Sequence, residues 1–353
     1  MFQSIPEPVM VALVGLFGGV LLGLAARLGR FCTLGAIEDV LYGGSDTRMR
    51  MWGIAIGTAV FGSFGLIASG HLASSDTYYL SIKWLPWASV IGGLMFGYGM
   101  ALAGNCGYGA IARLGGGDLR SFVIVLVMGV STYVVLSGPI APLRDLIFPQ
   151  AEVLPGDTPP GLAHLAAQFI GLPVHFIGMA LGLVILGVSA SSRAFLDSPK
   201  SAFWAAMVGV AIISGWAGTS WVADTGFDAP RVVSHSFAAP LGESILWWMI
   251  GSAQPISFAV GSVSGVWVGA FIGSLMKGHF RWEACEDPRE LRRQIFGAAL
   301  MGAGAVIALG CTIGQGVSAF SMLAYSAPVT FTAIFAGASL GLRQLIVGFN
   351  PAE

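Results

Sequence analysis

The feature that most constrains this chain is a succession of apolar stretches, each long enough to cross a lipid bilayer. A transmembrane helix needs about 20 mostly apolar residues. Hydrophobic residues make up 55% of the 353 and charged residues only 10%, whereas a soluble domain carries about 25% charged residues. Candidate spans lie at 9–28, 51–70, 85–104, 122–136, 165–189, 202–219, 255–276, 295–310 and 329–342. The sequence therefore predicts an all-α polytopic membrane protein with about nine transmembrane helices, embedded in the lipid bilayer.

Composition also argues against several classes of function. The net charge is −1 and no basic block occurs, so we expect no nucleic acid partner. Four cysteines in this length do not form a disulfide framework. We find neither metal-ligand spacing nor a phosphate-binding glycine loop, and therefore expect no metal and no cofactor.

The distribution of lysine and arginine predicts the orientation. Cytoplasmic loops of membrane proteins are enriched in these residues. If the N-terminus is periplasmic, most of the 17 basic residues fall in cytoplasmic segments, and only Lys83, Arg144 and Arg231 fall in external ones. We therefore predict a multi-pass protein of the bacterial inner membrane with a periplasmic N-terminus and a cytoplasmic C-terminus.

A weak internal repeat divides the chain. With a displacement of 205 positions, Gly97, Gly99, Cys106 and Gly109 coincide with Gly302, Gly304, Cys311 and Gly314. Each stretch ends the third span of a four-span half, and a single linking span between the halves would invert the second. We predict a first membrane repeat at 1–138, an external loop and linking helix at 139–200, and a second, inverted repeat at 201–353.

Four glycine-rich tracts follow spans but are too short and broken to cross the membrane themselves. They lie at 30–44, 106–117, 221–242 and 311–321. Non-helical backbone at membrane depth is tolerated only where protein or a water-filled cavity surrounds it. We predict four re-entrant loops that meet at the centre, with ordinary surface turns as the alternative.

Glycine also recurs at every fourth position in two spans. The stripes are Gly15, Gly19, Gly23 in the first span and Gly261, Gly265, Gly269, Gly273 in the seventh. Small residues at this spacing allow helix backbones to approach closely. The stripes predict helix packing.

Three of the four cysteines lie in or beside the predicted re-entrant loops. Cys32 stands in G-R-F-C-T-L-G-A, Cys106 in G-N-C-G-Y-G-A and Cys311 in G-C-T-I-G-Q-G. A buried cysteine is usually a small packing residue, and from spacing alone that alternative stays open. Cys285 lies in a charged loop, R-W-E-A-C-E-D-P-R-E, where acidic neighbours favour the protonated thiol.

These cysteine settings resemble the YeeE/YedE family of sulfur-compound transporters. The similarity includes the tracts F-D-A-P-R-V-V-S-H-S-F-A-A-P-L-G (227–242) and A-I-A-R-L-G-G-G (110–117) and extends over both halves. It implies uptake of thiosulfate or a related sulfur anion across the inner membrane. It also implies an hourglass shape with cysteines at a narrow centre, and a cytoplasmic TusA-like sulfurtransferase as a partner. The transport cysteines would be Cys32, Cys106 and Cys311, while Cys285 matches no such position.

Neutral thiols suggest a mechanism without covalent chemistry. They can donate transient hydrogen bonds to the anion in the order Cys311, Cys106, Cys32, with Asn105 and Gln315 as auxiliary donors. We therefore expect a transporter and not an enzyme. Two alternatives remain at this stage: a membrane-bound thiol enzyme that forms a persulfide, and a sensory subunit that binds sulfur ligands. Sulfite-like, persulfide and selenium species also remain open as substrates.

Overall fold

The computed structural model describes residues 6–154, 156–192, 195, 197–226, 230–284 and 287–348, and its architecture is helical. The α-helices are α1 (Glu7–Leu28), α2 (Thr33–Glu38), α3 (Thr47–Ala68), α4 (Pro86–Ala103), α5 (Gly107–Leu114), α6 (Leu119–Leu136), α7 (Ala141–Ile147), α8 (Leu162–Ile170), α9 (Val174–Ala190), α10 (Pro199–Thr225), α11 (Ala239–Ile250), α12 (Phe258–Met276), α13 (Pro288–Ile307) and α14 (Ser326–Val347). Two π-helical segments, Asp39–Gly43 and Gly314–Ala319, and one 3₁₀ turn, Ser74–Asp76, complete the helices of the described residues.

The long helices confirm a polytopic membrane protein. Within the described residues, seven helical segments are long and apolar enough to cross a membrane, or eight if the bent pair α8 and α9 counts as one span. The predicted span at 295–310 coincides with the second half of α13, whose first half is charged. The total of nine spans therefore stays a prediction.

The linking span at 165–189 is not one continuous helix. α8 and α9 meet at a bend of 118°. Gly171 closes α8 in the left-handed conformation, with φ of 74°, and Pro173 precedes the first turn of α9. Proline lacks an amide proton and favours the start of a helix, so the apolar pattern continues across a break in the hydrogen-bonding ladder.

The structure confirms the close helix packing that the glycine stripes predict. α1 and α12 run parallel, and a Cβ atom at Gly19 would lie 2.3 Å from the carbonyl oxygen of Ser262. A Cβ at Gly23 would lie equally close to the carbonyl oxygen of Val266. Only glycine permits this approach, because real Cβ contacts are longer than 3 Å.

The helices that the 205-residue displacement relates, α4 and α13, run antiparallel in direct contact. A Cβ at Gly92 would lie 2.7 Å from the carbonyl oxygen of Gly304, and a Cβ at Gly99 would lie 2.6 Å from that of Gly297. The displacement of 205 positions relates Gly92 to Gly297 and Gly99 to Gly304, so the two contacts are equivalent under the repeat. Antiparallel packing of corresponding helices is the geometry that an inverted repeat requires.

The predicted re-entrant tracts contain more helix than expected. The tracts at 30–44, 106–117 and 311–321 form short helices that begin directly after their cysteine. In the fourth tract, α10 extends to Thr225, and an extended segment that includes 232–237 follows later. Short helices satisfy most backbone hydrogen bonds internally, which burial demands. The expectation of non-helical backbone was therefore wrong for most of these residues.

Candidate functional site

The three cysteines share one local position, directly before a short helix. Cys32 precedes α2 and Cys106 precedes α5, both with extended backbone. Cys311 precedes a helical turn that continues into Gly314–Ala319. The first amides of a helix have no partner within the helix and carry partial positive charge. Each thiol therefore lies at a group of potential hydrogen-bond donors.

Cys311 receives hydrogen bonds from two different segments. The backbone amide of Phe237 donates to its Sγ at 3.2 Å, and that of Gly314 donates at 3.4 Å. The hydroxyl of Ser236 lies 3.8 Å from the same sulfur. The thiol is 1% exposed. Its lone pairs are occupied as acceptors, so its own S–H proton is available to donate.

Cys106 is fully buried. Its Sγ accepts from the amide of Gly109 at 3.4 Å, and the hydroxyl of Thr312 lies beside it. Both Cys32 and Cys311 are within electrostatic range of this thiol. The ring of Tyr108 packs on Phe237 with centroids 5.5 Å apart, which joins the Cys106 turn to the segment that contacts Cys311.

A cavity of about 610 Å³, here called the wide vestibule, opens at the N-terminal ends of α1 and α12. Most of its lining is apolar, with Glu7, Arg231 and Glu243 as the charged residues. Ser236 and Tyr79 line it close to the Cys311 turn, where both hydroxyls lie against Gly314. The wide vestibule therefore leads toward Cys311.

A second cavity of about 340 Å³, here called the cationic vestibule, lies at the opposite ends of α1 and α12. α1 has 22 residues, so the two mouths are about 33 Å apart along its axis. Cys32, Asn105 and Gly109 line the cationic vestibule, and Cys32 is partly exposed there. The buried thiols of Cys106 and Cys311 occupy the closed region between the two cavities.

Basic side chains dominate the lining of the cationic vestibule. They are Arg27, Arg30, Arg48, Arg113 and Lys277, against one carboxylate, Glu38. The Nζ of Lys277 donates to the carbonyl of Arg27 at 2.8 Å and so caps the end of α1. Partial burial, followed by the positive charges of Arg30 and Arg27, lowers the pKa of Lys277.

Comparison with known proteins identifies the family. The profile of a family described as sulphur transport matches residues 28–340. The chain belongs to the sulphur transport family. It is 29% identical over 338 residues to the thiosulfate transporter TsuA of Escherichia coli strain K12, covering 89% of this chain and 88% of that protein. It is 24% identical over 322 residues to the thiosulfate transporter TsuA of Spirochaeta thermophila, covering 88% of this chain and 92% of that protein.

The two predicted auxiliary donors of this sulphur transport family member occupy different surroundings. Asn105 is 1% exposed and lines the cationic vestibule, and within the described part of the chain its Oδ1 has no hydrogen-bond partner. Gln315 instead donates through Nε2 to the carbonyl of Ala308 at 2.8 Å, and its Oε1 accepts from Ser326 at 3.0 Å. Gln315 thus braces the turn before Cys311, and its amide is not free to serve an anion here.

Sequence reasoning did not assign a role to Ser236, Phe237 or Tyr79. The tract 227–242 carried part of the family resemblance, and that was the available signal for Ser236 and Phe237. Residues 227–229 and Cys285 lie outside the described residues. Among the described ones, no three His, Cys, Asp or Glu side chains are grouped to hold a metal ion.

Proposed function

We propose that this member of the sulphur transport family takes up thiosulfate through a relay of hydrogen bonds from Cys311 to Cys106 and then Cys32. The observation that supports this most directly is the placement of the three thiols: Cys32 lines the cationic vestibule, Cys311 lies beside Ser236 of the wide vestibule, and Cys106 is buried within electrostatic range of both. Both relatives are thiosulfate transporters, which supports the choice of substrate.

The relay requires that the cysteine thiols donate hydrogen bonds to the anion. Backbone amides donate to the sulfur atoms of Cys311 and Cys106. A group that accepts hydrogen bonds becomes a better donor, because successive hydrogen bonds polarise one another. The S–H groups are therefore polarised toward an anion. A thiol donates weakly, so each site can admit the ion and release it again, as conduction requires.

The direction follows from the predicted topology. With a periplasmic N-terminus, the wide vestibule opens to the periplasm and the cationic vestibule to the cytoplasm. Thiosulfate would enter past Tyr79 and Ser236, pass the buried thiols and leave beside Cys32. The weakly charged entrance and the cationic exit suit an anion that is released inward.

The membrane potential opposes this uptake. One charge costs about 2.3 kcal/mol per 100 mV, so a dianion costs roughly 4.6 kcal/mol. That amounts to more than a thousandfold gradient at about 1.4 kcal/mol per tenfold. We propose that a cytoplasmic TusA-like sulfurtransferase drives net uptake by consuming the sulfur as it arrives.

Flux into liposomes tests the proposal. The purified chain is reconstituted alone, and uptake of labelled thiosulfate is compared with that of sulfite, sulfide and sulfate. We expect thiosulfate uptake that exceeds the rate in protein-free liposomes and exceeds that of sulfate. A rate equal to the protein-free control for all four anions would exclude autonomous transport and favour a sensory subunit.

Mass spectrometry separates the relay from a thiol enzyme. The relay predicts unmodified Cys32, Cys106 and Cys311 after exposure to thiosulfate and removal of the anion. A stable added sulfur on any of the three would instead show a persulfide intermediate.

A further inference from the structure

The cationic vestibule carries more positive charge than its carboxylates balance: Glu38 lines it, and Asp118 and Glu283 attract Arg27 from nearby. Arg48 pairs with Asp39 at 3.2 Å. Within the described part of the chain, no carboxylate lies within 4.0 Å of the charged groups of Arg27, Arg30, Arg113 or Lys277. Unpaired positive charge in a partly enclosed cavity attracts anions.

A buried and unpartnered amide faces the same cavity. Asn105 is 1% exposed, and its Oδ1 has no hydrogen-bond partner among the residues that the structure describes. A buried polar atom without a partner costs roughly 1–3 kcal/mol. Rotation of the amide by 180° places its NH₂ group at the same position, where it can donate to an oxyanion. A bound anion would therefore satisfy a group that is unsatisfied in its absence.

The guanidinium of Arg27 is held in place within this cavity. Its Nε donates to the hydroxyl of Ser274 at 2.6 Å. It also lies directly against Gly116, where an added Cβ would overlap an Arg27 terminal nitrogen. A fixed planar guanidinium loses little freedom on binding and can donate two parallel hydrogen bonds to an oxyanion.

We propose that the cationic vestibule is a binding site for small dianionic oxyanions, accepting sulfate as well as thiosulfate. Arg27, Arg113 and Lys277 supply the charge, and Asn105 supplies a neutral donor. An anion held there covers Cys32, so cytoplasmic sulfate would occupy the exit and slow further passage. This regulatory consequence rests on the proposed function, whereas the binding itself does not.

Protection of Cys32 from alkylation tests the site without any transport measurement. The full chain is placed in phosphatidylcholine nanodiscs and treated with N-ethylmaleimide, a neutral reagent, and labelling of Cys32 is followed by peptide mass spectrometry. We expect sodium sulfate to slow labelling severalfold relative to sodium chloride at equal ionic strength. Equal rates in the two salts would overturn the proposal.

Variants assign the protection to the vestibule. Arg27→Gln, Arg113→Gln and Asn105→Ala should each reduce the ratio of rates with and without sulfate. Arg144→Gln, whose residue pairs with Asp145 in α7, should keep it. Retained protection in all three vestibule variants would contradict the site. So would protection that appears only after phosphatidylglycerol is added, since the occupant would then be a lipid headgroup.

One further variant separates this inference from the proposed function. Cys311→Ala should block uptake, yet Cys311 does not line the cationic vestibule. We expect full sulfate protection of Cys32 in this variant. Protection in an unmutated protein that shows no uptake at all would refute the transport proposal and leave the anion site standing, whereas uptake by the unmutated protein without protection would do the reverse.

Discussion

The backbone amide of Phe237 donates to the thiol of Cys311 at 3.2 Å. The ring of Phe237 meanwhile packs on Tyr108, two residues after Cys106. One residue of the extended segment thus touches both buried cysteine turns. The spacing of the two thiols therefore depends on a segment that contributes no thiol of its own.

The neighbouring hydroxyl gives a first prediction. Ser236→Ala should lower thiosulfate uptake severalfold while leaving the thermal midpoint of the purified protein nearly unchanged. The variant removes a polar group at the floor of the wide vestibule, but Cys311 keeps both backbone donors. Ser214→Ala is the control, because that hydroxyl only bonds the carbonyl of Ala211 within its helix. Wild-type uptake in Ser236→Ala would remove this residue from the entry path.

The predicted topology can be tested with fusion reporters. A reporter placed after Glu353 should be active in the cytoplasm, and one inserted within 149–160 should be active in the periplasm. The reason is the excess of lysine and arginine in the loops assigned to the cytoplasm. The opposite result at either position would reverse the assignment of the two vestibules.

Packing between α4 and α13 should be sensitive to a single methyl group. Gly99→Ala places a Cβ 2.6 Å from the carbonyl oxygen of Gly297, so the two helices must separate. Overpacking of this kind costs roughly 1–3 kcal/mol, which should lower the thermal midpoint in detergent. Gly187→Ala is the matched control, because a Cβ there meets nothing within 4 Å. Equal midpoints for the two variants would contradict the close contact.

Substitution of Gln315 should lower stability, whereas substitution of Asn105 should lower transport. Gln315→Ala leaves the carbonyl of Ala308 and the hydroxyl of Ser326 without this partner, at roughly 1–3 kcal/mol for a buried group. We expect a lower thermal midpoint for Gln315→Ala. Asn105→Ala removes an amide whose Oδ1 has no partner, so uptake should fall with little loss of stability. The reverse pattern would show that Gln315 serves the anion.

Most long helices were predictable because each apolar stretch reports directly on burial in lipid. The bend between Gly171 and Pro173 was not, since hydropathy continues across it and only the backbone changes. The start of α13 was not predicted either, because its first turns are charged and the predicted span began only at 295.

The sequence located the cysteines but not their surroundings. Spacing placed Cys32, Cys106 and Cys311 in short tracts after long helices, yet the position directly before a helix depends on where that helix begins. The donor from Phe237 to Cys311 joins residues 74 apart in the sequence, and no local pattern reports such a contact. The hydrogen bonds of Gln315 were not predictable for the same reason, because its partner Ser326 lies in the next helix.

Uptake of labelled thiosulfate into liposomes by cysteine variants tests the relay most directly. Cys106→Ala and Cys311→Ala should each abolish uptake at normal protein abundance, because each removes the thiol donor at one step. Cys→Ser variants should be impaired, with Cys32→Ser the mildest since Arg27 and Arg30 line the same exit. Cys285→Ala, outside the tracts that resemble the family, is the control and should transport normally. Near-normal uptake by both Cys106→Ala and Cys311→Ala would contradict the relay and leave these cysteines as packing residues.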